Sequence, residues 1–351
     1  MARLRMCKHC GVPLGFSREN SWGSDGSITQ TSNPDHRVIF YEAEGMNRLL
    51  DNIAGLLGVP IDHIVIEGKR KSTYNYLQGM FSGIKLAVVK AFLRRRVYET
   101  ISARGGLLGY GHYELVDFKP GRYIEVKGSN VYSLTLFSAD MAAVFNLVEG
   151  LPAQITWEDR GENELLIRVV PGQEADAEMA ARLARVVLPR KPGNITFERC
   201  PSCGIPIDFK GFTWEPDRGT ITDNATGRRM AILGAEGVEA VFRELESELG
   251  EELSRTIVEA QRRYVVDTLQ MAEVRRDPSY LTHQLALRGM GNVVRFELSR
   301  DRLEAVVENA IPPLLVAGMM QGIFELLTGK GSSCSYERDG AGSLRLTVES
   351  A

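Results

Sequence analysis

The sequence predicts an α+β fold built twice: two tandem copies of a domain with a helical part and a four-stranded antiparallel sheet, each headed by a short cysteine-bearing hairpin. Three observations predict it. Cys7-Lys8-His9-Cys10-Gly11-Val12-Pro13 recurs as Cys200-Pro201-Ser202-Cys203-Gly204-Ile205-Pro206. The segments behind each knuckle match in the same order. Each copy also passes from 3.6-residue apolar periodicity to strand alternation and back, which indicates helices covering an antiparallel sheet.

The knuckles come first in each copy. Two thiolates three positions apart can hold one metal ion from a tight turn, and the following glycine accepts the backbone shape of that turn. The β-rich segments behind them, Trp22 to Thr29 and Trp214 to Thr222, place Asp and Gly next to an Ile/Thr pair. That is turn-then-strand chemistry, so each head reads as a zinc-ribbon-like hairpin. Next, Arg37–Gly45 matches Arg229–Gly237. A strand-like run there leads into an amphipathic helix, with Met46, Leu49, Leu50, Ile53 in one copy and Val238, Val241, Phe242, Leu245 in the other. The i, i+3, i+4, i+7 spacing turns one face to a core.

A longer helical stretch follows, about 60–101 and about 253–274, in which Lys69-Arg70-Lys71 stands where Gln261-Arg262-Arg263 stands. The spacing between matched segments shortens here, locating an insertion of about twelve residues, including Phe81–Leu93, in the first copy. Both helical parts end in Gly-x-Gly, Gly109-Tyr110-Gly111 and Gly289-Met290-Gly291. Helix termination by a left-handed glycine explains these better than phosphate binding, which needs the glycines after a strand and opening a helix. The closing third reads strand, strand, helix, strand, strand, and its helix ends in Phe145–Gly150 and Phe324–Gly329. The divisions are residues 1–171, a linker helix over 172–194, and residues 195–351.

That order of elements resembles the 4-vinyl-reductase-type (hydrocarbon-binding) domain, a relative of haem-nitric-oxide-binding domains and of transport-particle subunits of vesicle tethers. It rests on Gly109, Gly111, Ile124–Asn130, Phe145–Gly150 and the hairpin to Val170, and in the second copy on Gly289, Gly291, Leu303–Asn309, Phe324–Gly329 and the hairpin to Val348. The resemblance implies a hydrophobic or tetrapyrrole-like ligand in a helix-lined pocket, not a reductase reaction. Cysteines that many members place before the last helix and in the closing hairpin are lacking apart from Cys334, so a cofactor held through them is not expected.

The bulk composition narrows the function. A chain of 351 residues with net charge −3 and 25% charged residues makes no global demand for a polyanion. With no apolar signal core, no run of about 18 apolar residues and paired CxxC motifs, a cytoplasmic protein without a membrane span is expected. Cys7, Cys10, Cys200 and Cys203 are the candidate metal ligands, as one shared structural Zn2+ site or as separate sites; four thiolates leave no open position for catalysis. Cys334 reads as a small buried strand residue.

The larger first copy is the better place for a pocket, with Tyr74, Phe81, Phe92 and Tyr110 as candidate lining, and the second copy is expected to be structural, forming an intrachain pseudo-dimer or supporting self-association. No nucleophile, acid–base pair, Walker loop or HExxH is assignable, and His63, His112 and His283 match no histidine in the opposite copy, which disfavours an enzyme. The leading reading is a zinc-stapled binding protein for a hydrophobic small molecule, acting as carrier, sensor or accessory factor. The alternative is a nucleic-acid-binding or transcription-regulating zinc-ribbon protein using Lys69–Lys71, Lys85, Lys90 and Arg94–Arg96.

Overall fold

In the computed structural model, residues 5–81, 83–173, 190–250, 252–269, 278–339 and 342–351 are described. The expected linker helix over 172–194 falls mostly outside them. In the first half a short helix α1 (Leu14–Glu19) leads to β1 (Asn20–Trp22), β2 (Ile28–Gln30) and β3 (Asn33–Glu42), then α2 (Ala43–Leu57) and α3 (Asp62–Met80). The expected insertion forms α4 (Gly83–Val88) and a π-helical turn, Val89–Leu93, running into α5 (Arg94–Leu107). Strands β4 (His112–Lys119) and β5 (Tyr123–Ser129), helix α6 (Leu134–Glu149), and strands β6 (Ala153–Gly161) and β7 (Glu164–Pro171) close it.

The second half repeats the succession. Strands β8 (Phe212–Glu215), β9 (Thr220–Asp223) and β10 (Arg229–Gly234) precede α7 (Ala235–Leu249), α8 (Leu253–Thr268) and α9 (Pro278–Leu287). Then come β11 (Asn292–Leu298), β12 (Arg302–Glu308), α10 (Pro313–Thr328), β13 (Ser332–Arg338) and β14 (Ser343–Ser350). The closing sheets have the same antiparallel order, β4-β5-β7-β6 and β11-β12-β14-β13. Each covers its own helix, α6 or α10, with alternate residues such as Ile124, Val126, Ile167 and Val169, all fully buried. Helix α6 starts at Ser133, whose hydroxyl accepts the Leu136 N–H, and stops where Gly150 takes the left-handed conformation. Gly329 stops α10 the same way.

The halves are joined through a six-stranded sheet, β1-β2-β3-β10-β9-β8, in which β3 pairs antiparallel with β10. Phe40 lies opposite Ile232, its counterpart in the repeat. From this seam the chains cross over: α2 packs on α8 and α7 packs on α3. One apolar core therefore runs through both halves, from Ile39 and Leu49 to Ile232's neighbour Leu233, Phe242 and Phe324. A second core fills the space behind the knuckles, where Phe16, Trp22, Phe40, Phe209 and Trp214 pack with ring centroids 4.7–6.2 Å apart.

The Gly-x-Gly segments end their helices as expected, and the structure shows why glycine stands there. Leu108 accepts the Ile232 N–H, and Gly111 donates to the Gly219 carbonyl. In the mirrored crossing Arg288 accepts the Phe40 N–H and Gly291 donates to Gly26. A Cβ on Gly109 (φ +82°) would sit 2.3 Å from the Met230 carbonyl oxygen, and one on Gly289 (φ +74°) 2.7 Å from that of Val38. Buried arginines fasten both crossings. Arg37 donates to the carbonyls of Gly289 and Asn309, and Arg229 to those of Gly109 and Asn130. Burial pushes Arg37 down to about 10, still fully charged at neutral pH.

Candidate functional site

Each knuckle is built by its own backbone. Gly11 (φ +77°) donates to the Cys7 carbonyl while the Cys7 N–H donates to Val12; Gly204 (φ +77°), Cys200 and Ile205 repeat the pattern. The six-stranded sheet brings both turns to one point. Cys7 Sγ lies 3.8 Å from Cys200 Sγ and Cys10 Sγ 3.5 Å from Cys203 Sγ, and all four sulfurs fall within 4.8 Å of one another. Tetrahedral coordination with metal–sulfur bonds of about 2.3 Å needs sulfurs ~3.8 Å apart. The four thiols are free, and only Cys203 keeps part of its surface exposed. The Cys10 backbone N–H holds Cys7 at about 6 against burial, while burial pushes Cys10 and Cys203 up. A bound divalent cation would take all four as thiolates. The donor set fits one structural ion shared by the two halves, with sulfur preference for zinc or iron. His9 is exposed and outside the cluster.

Two cavities lie at matched places in the two halves. The first, about 160 Å3, sits among α3, α5 and α6 and is closed by β3 and β10. Its walls are largely apolar, including Leu77, Met80, Ile101, Phe137, Met141 and Val144. Its polar end is a connected cluster: Asp140 accepts Lys69 at 2.8 Å and the Thr73 hydroxyl at 2.6 Å, and Lys69 also reaches Thr73 at 3.1 Å. Beside it, His36 Nδ1 lies 3.2 Å from Glu236 across the seam, and its ring packs on Tyr76 at 4.4 Å. Tyr110 stacks on Tyr132 at 4.3 Å and donates its hydroxyl to the Ile232 carbonyl at 2.6 Å. Burial first, and then the Asp140 charge, hold the Tyr110 phenol protonated far above its usual range.

The second cavity, about 450 Å3, lies among α8, α9 and α10 and is closed by Tyr41 and Glu42 of β3. Glu42 and Arg288 form an ion pair at 2.9 Å, and the Tyr41 hydroxyl donates to Gln261 Oε1 at 2.9 Å.

Of the four residues expected to line a pocket, Tyr110 lines the first cavity. Tyr74 lines an open groove of about 660 Å3 on the other side of α3, with Arg70, Asn146 and Trp157. Phe81 is half-buried and packs on the main core, and Phe92 is 84% exposed on the π-helical turn. Sequence reasoning missed Thr73 and Asp140 and read Lys69 only as part of a basic stretch. Asp140, the lone ionisable residue of the mostly apolar Leu134–Val148 run, was the signal that could have found the cluster. The basic residues are largely paired: Lys69 with Asp140, Arg70 with Glu67, Arg94 with Glu149, Arg95 with Glu99. His112 begins β4 opposite Ser129 and lines neither cavity among the described residues. No helix of the described residues is long and apolar enough to cross a membrane.

No family model and no curated protein matches the chain. Among solved structures it is similar to an oxygen-binding H-NOX domain related to soluble guanylate cyclases, at 16% identity and a TM-score of 0.24 over 39% of this chain and 79% of that one. An H-NOX variant from T. tengcongensis gives 16%, 0.23, 39% and 81%, and an H-NOX structure concerned with activation gives 14%, 0.24, 39% and 80%. Likeness at this level establishes no shared function.

Proposed function

We propose that the chain is a zinc-stapled small-molecule-binding protein, two copies of a 4-vinyl-reductase-type domain joined as an intrachain pseudo-dimer, that carries or senses a hydrophobic ligand in its first half. The observation that supports this reading best is the first cavity: apolar walls ending on the Lys69–Thr73–Asp140 cluster. Few, convergent polar groups in an apolar chamber fix a ligand's orientation, whereas a purely structural core excludes buried charge. An apolar cavity of about 150 Å3 holds a benzene-sized group. The ligand therefore fits as a small aromatic or aliphatic molecule, or as one apolar arm of a larger one. A whole tetrapyrrole would require α5 to move away from α3. The four cysteines would hold zinc as a staple between the ribbons, fixing the seam that closes the cavity; reduced thiols suit a cytoplasmic setting.

Native mass spectrometry of the purified chain, with and without a strong chelator, tests the reading. One zinc per chain is expected, together with an organic mass that disappears in Val144→Trp while zinc stays. A metal-free chain, or an organic mass unchanged by Val144→Trp, overturns it.

A further inference from the structure

The insertion of the first copy forms a tip that the repeated fold does not require. Ala87 and Val88 of α4 and Ala91, Phe92 and Leu93 of the π-helical turn are all exposed, Phe92 to 84%. Val89 alone of that turn is buried, and it anchors the tip in the main core. A contiguous exposed apolar patch marks a contact site. Phe92 lines neither cavity nor the Tyr74 groove.

The tip is flanked by positive charge from two elements. Arg95 and Arg96 follow it on α5 and are exposed. The Glu149 carboxylate at the end of α6 then gathers Arg94, the Tyr98 hydroxyl and the Gly121 N–H. That junction holds the β4–β5 turn against α5, and the turn carries exposed Lys119 and Arg122 on either side of Gly121. The exposed acids beside them are Glu99, which pairs with Arg95, and Asp117, which accepts the Tyr123 hydroxyl. Positive charge is thus in local excess on a chain whose net charge is −3.

We propose that this tip docks the protein on an anionic phospholipid surface. Phe92 and Leu93 enter the boundary between headgroups and acyl chains, while Arg95, Arg96, Lys119 and Arg122 meet the lipid phosphates and carboxylates. A fluid layer needs no matching shape to receive these side chains, whereas a protein partner would need a pocket. Two copies meeting tip to tip would set like charges face to face. A nucleic-acid backbone would use the cations and leave Val88, Phe92 and Leu93 in water.

Vesicle sedimentation of the full chain tests the proposal, with phosphatidylcholine alone or mixed with about 30% phosphatidylserine. Binding is expected only with the anionic lipid and should weaken in high salt. Phe92→Ser should weaken it at least about 10-fold, the share of one aromatic side chain leaving water, and Arg96→Glu by about as much. Val294→Ser, which removes an exposed apolar side chain from β11 of the other half, should leave binding intact. All three positions are exposed, so the melting temperature should not change. In Phe92→Cys the new thiol should react rapidly with a polar maleimide in buffer and at least about 10-fold more slowly on anionic vesicles, read at that residue by mass spectrometry. The proposal is overturned if the anionic vesicles are not bound, if phosphatidylcholine alone is bound as well, or if Phe92→Ser binds as tightly as the parent chain. Protection of Phe92→Cys in buffer also overturns it. Protection that grows with protein concentration would assign the tip to a second copy, and protection at every concentration to another segment of this chain. The outcome is independent of what either cavity binds.

Discussion

The two cavities occupy the same place in the repeated fold and have traded their polar groups. Lys69 of the first corresponds to Gln261 of the second, Asp140 to Met319, Leu108 to Arg288 and Gly234 to Glu42. The first cavity carries the Lys69–Asp140 pair between two helices of one half, with the cross-seam His36–Glu236 contact beside it; in the second, Glu42 of β3 in the first half pairs with Arg288, just past α9 of the second. The knuckle glycines, the Gly-x-Gly crossings and the Arg37 and Arg229 fasteners are the same on both sides. The difference teaches that the scaffold around the seam tolerates little change, because backbone meets backbone there. The cavity walls, which are side chains alone, were free to diverge.

The sharpest way to break this comparison is to remove what both sides share. Cys7→Ser should abolish metal binding at the four-cysteine cluster and lower the melting temperature by about 10 °C or more, since a metal ion held by the folded chain alone contributes folding energy directly. Metal analysis with thermal melting checks it, and loss of one half's stability alone would contradict a shared centre. Next come the ion pairs. Arg288→Met strands a buried Glu42 and should cost about 3–5 kcal/mol, while Asp140→Asn, which leaves Lys69 a hydrogen-bond acceptor, should cost about 2 kcal/mol. Urea unfolding ranks them, and a reversed order would show that the first cavity is the more rigid.

Effects below that of Arg288→Met, and equal to each other, are expected at the crossings. Gly109→Ala and Gly289→Ala should each cost about 2–3 kcal/mol, from the positive φ and the clash with the facing carbonyl. Inequality beyond about 1 kcal/mol in the same unfolding experiment would mean the two crossings are not equivalent. The smallest effect concerns Cys334 on β13, whose thiol burial pushes up to about 12. Its folded value is raised, so the associated stability is whole below the unfolded thiol value of about 8.5 and is lost as pH rises towards 12. At pH 8, alkylation of Cys334 in the folded chain should be at least about 100-fold slower than in urea, which mass spectrometry follows directly.

Much of this was legible because it is local. Apolar spacing at Met46, Leu49, Leu50 and Ile53 placed α2, and the glycines after Phe145 and Phe324 placed the ends of α6 and α10. The cysteine spacing gave the four ligands and left one site or several open; the structure brings all four to one point. The cavity lining was less legible. Tyr74 and Phe92 are expected inward on aromatic character, yet Tyr74 faces an open groove and Phe92 lies exposed on a π-helical turn.

The sequence by itself determined the α+β class, the tight cysteine-bearing turns and the helix stops, all of which follow from contacts within a few residues. Only the tertiary structure decided that β3 pairs with β10, that α2 and α7 exchange sides, and that a strand of the opposite half contributes to the wall of each cavity. The reason is physical: strand pairing and helix exchange satisfy backbone groups and apolar faces that either half alone would leave open, and no local pattern states which half supplies the partner.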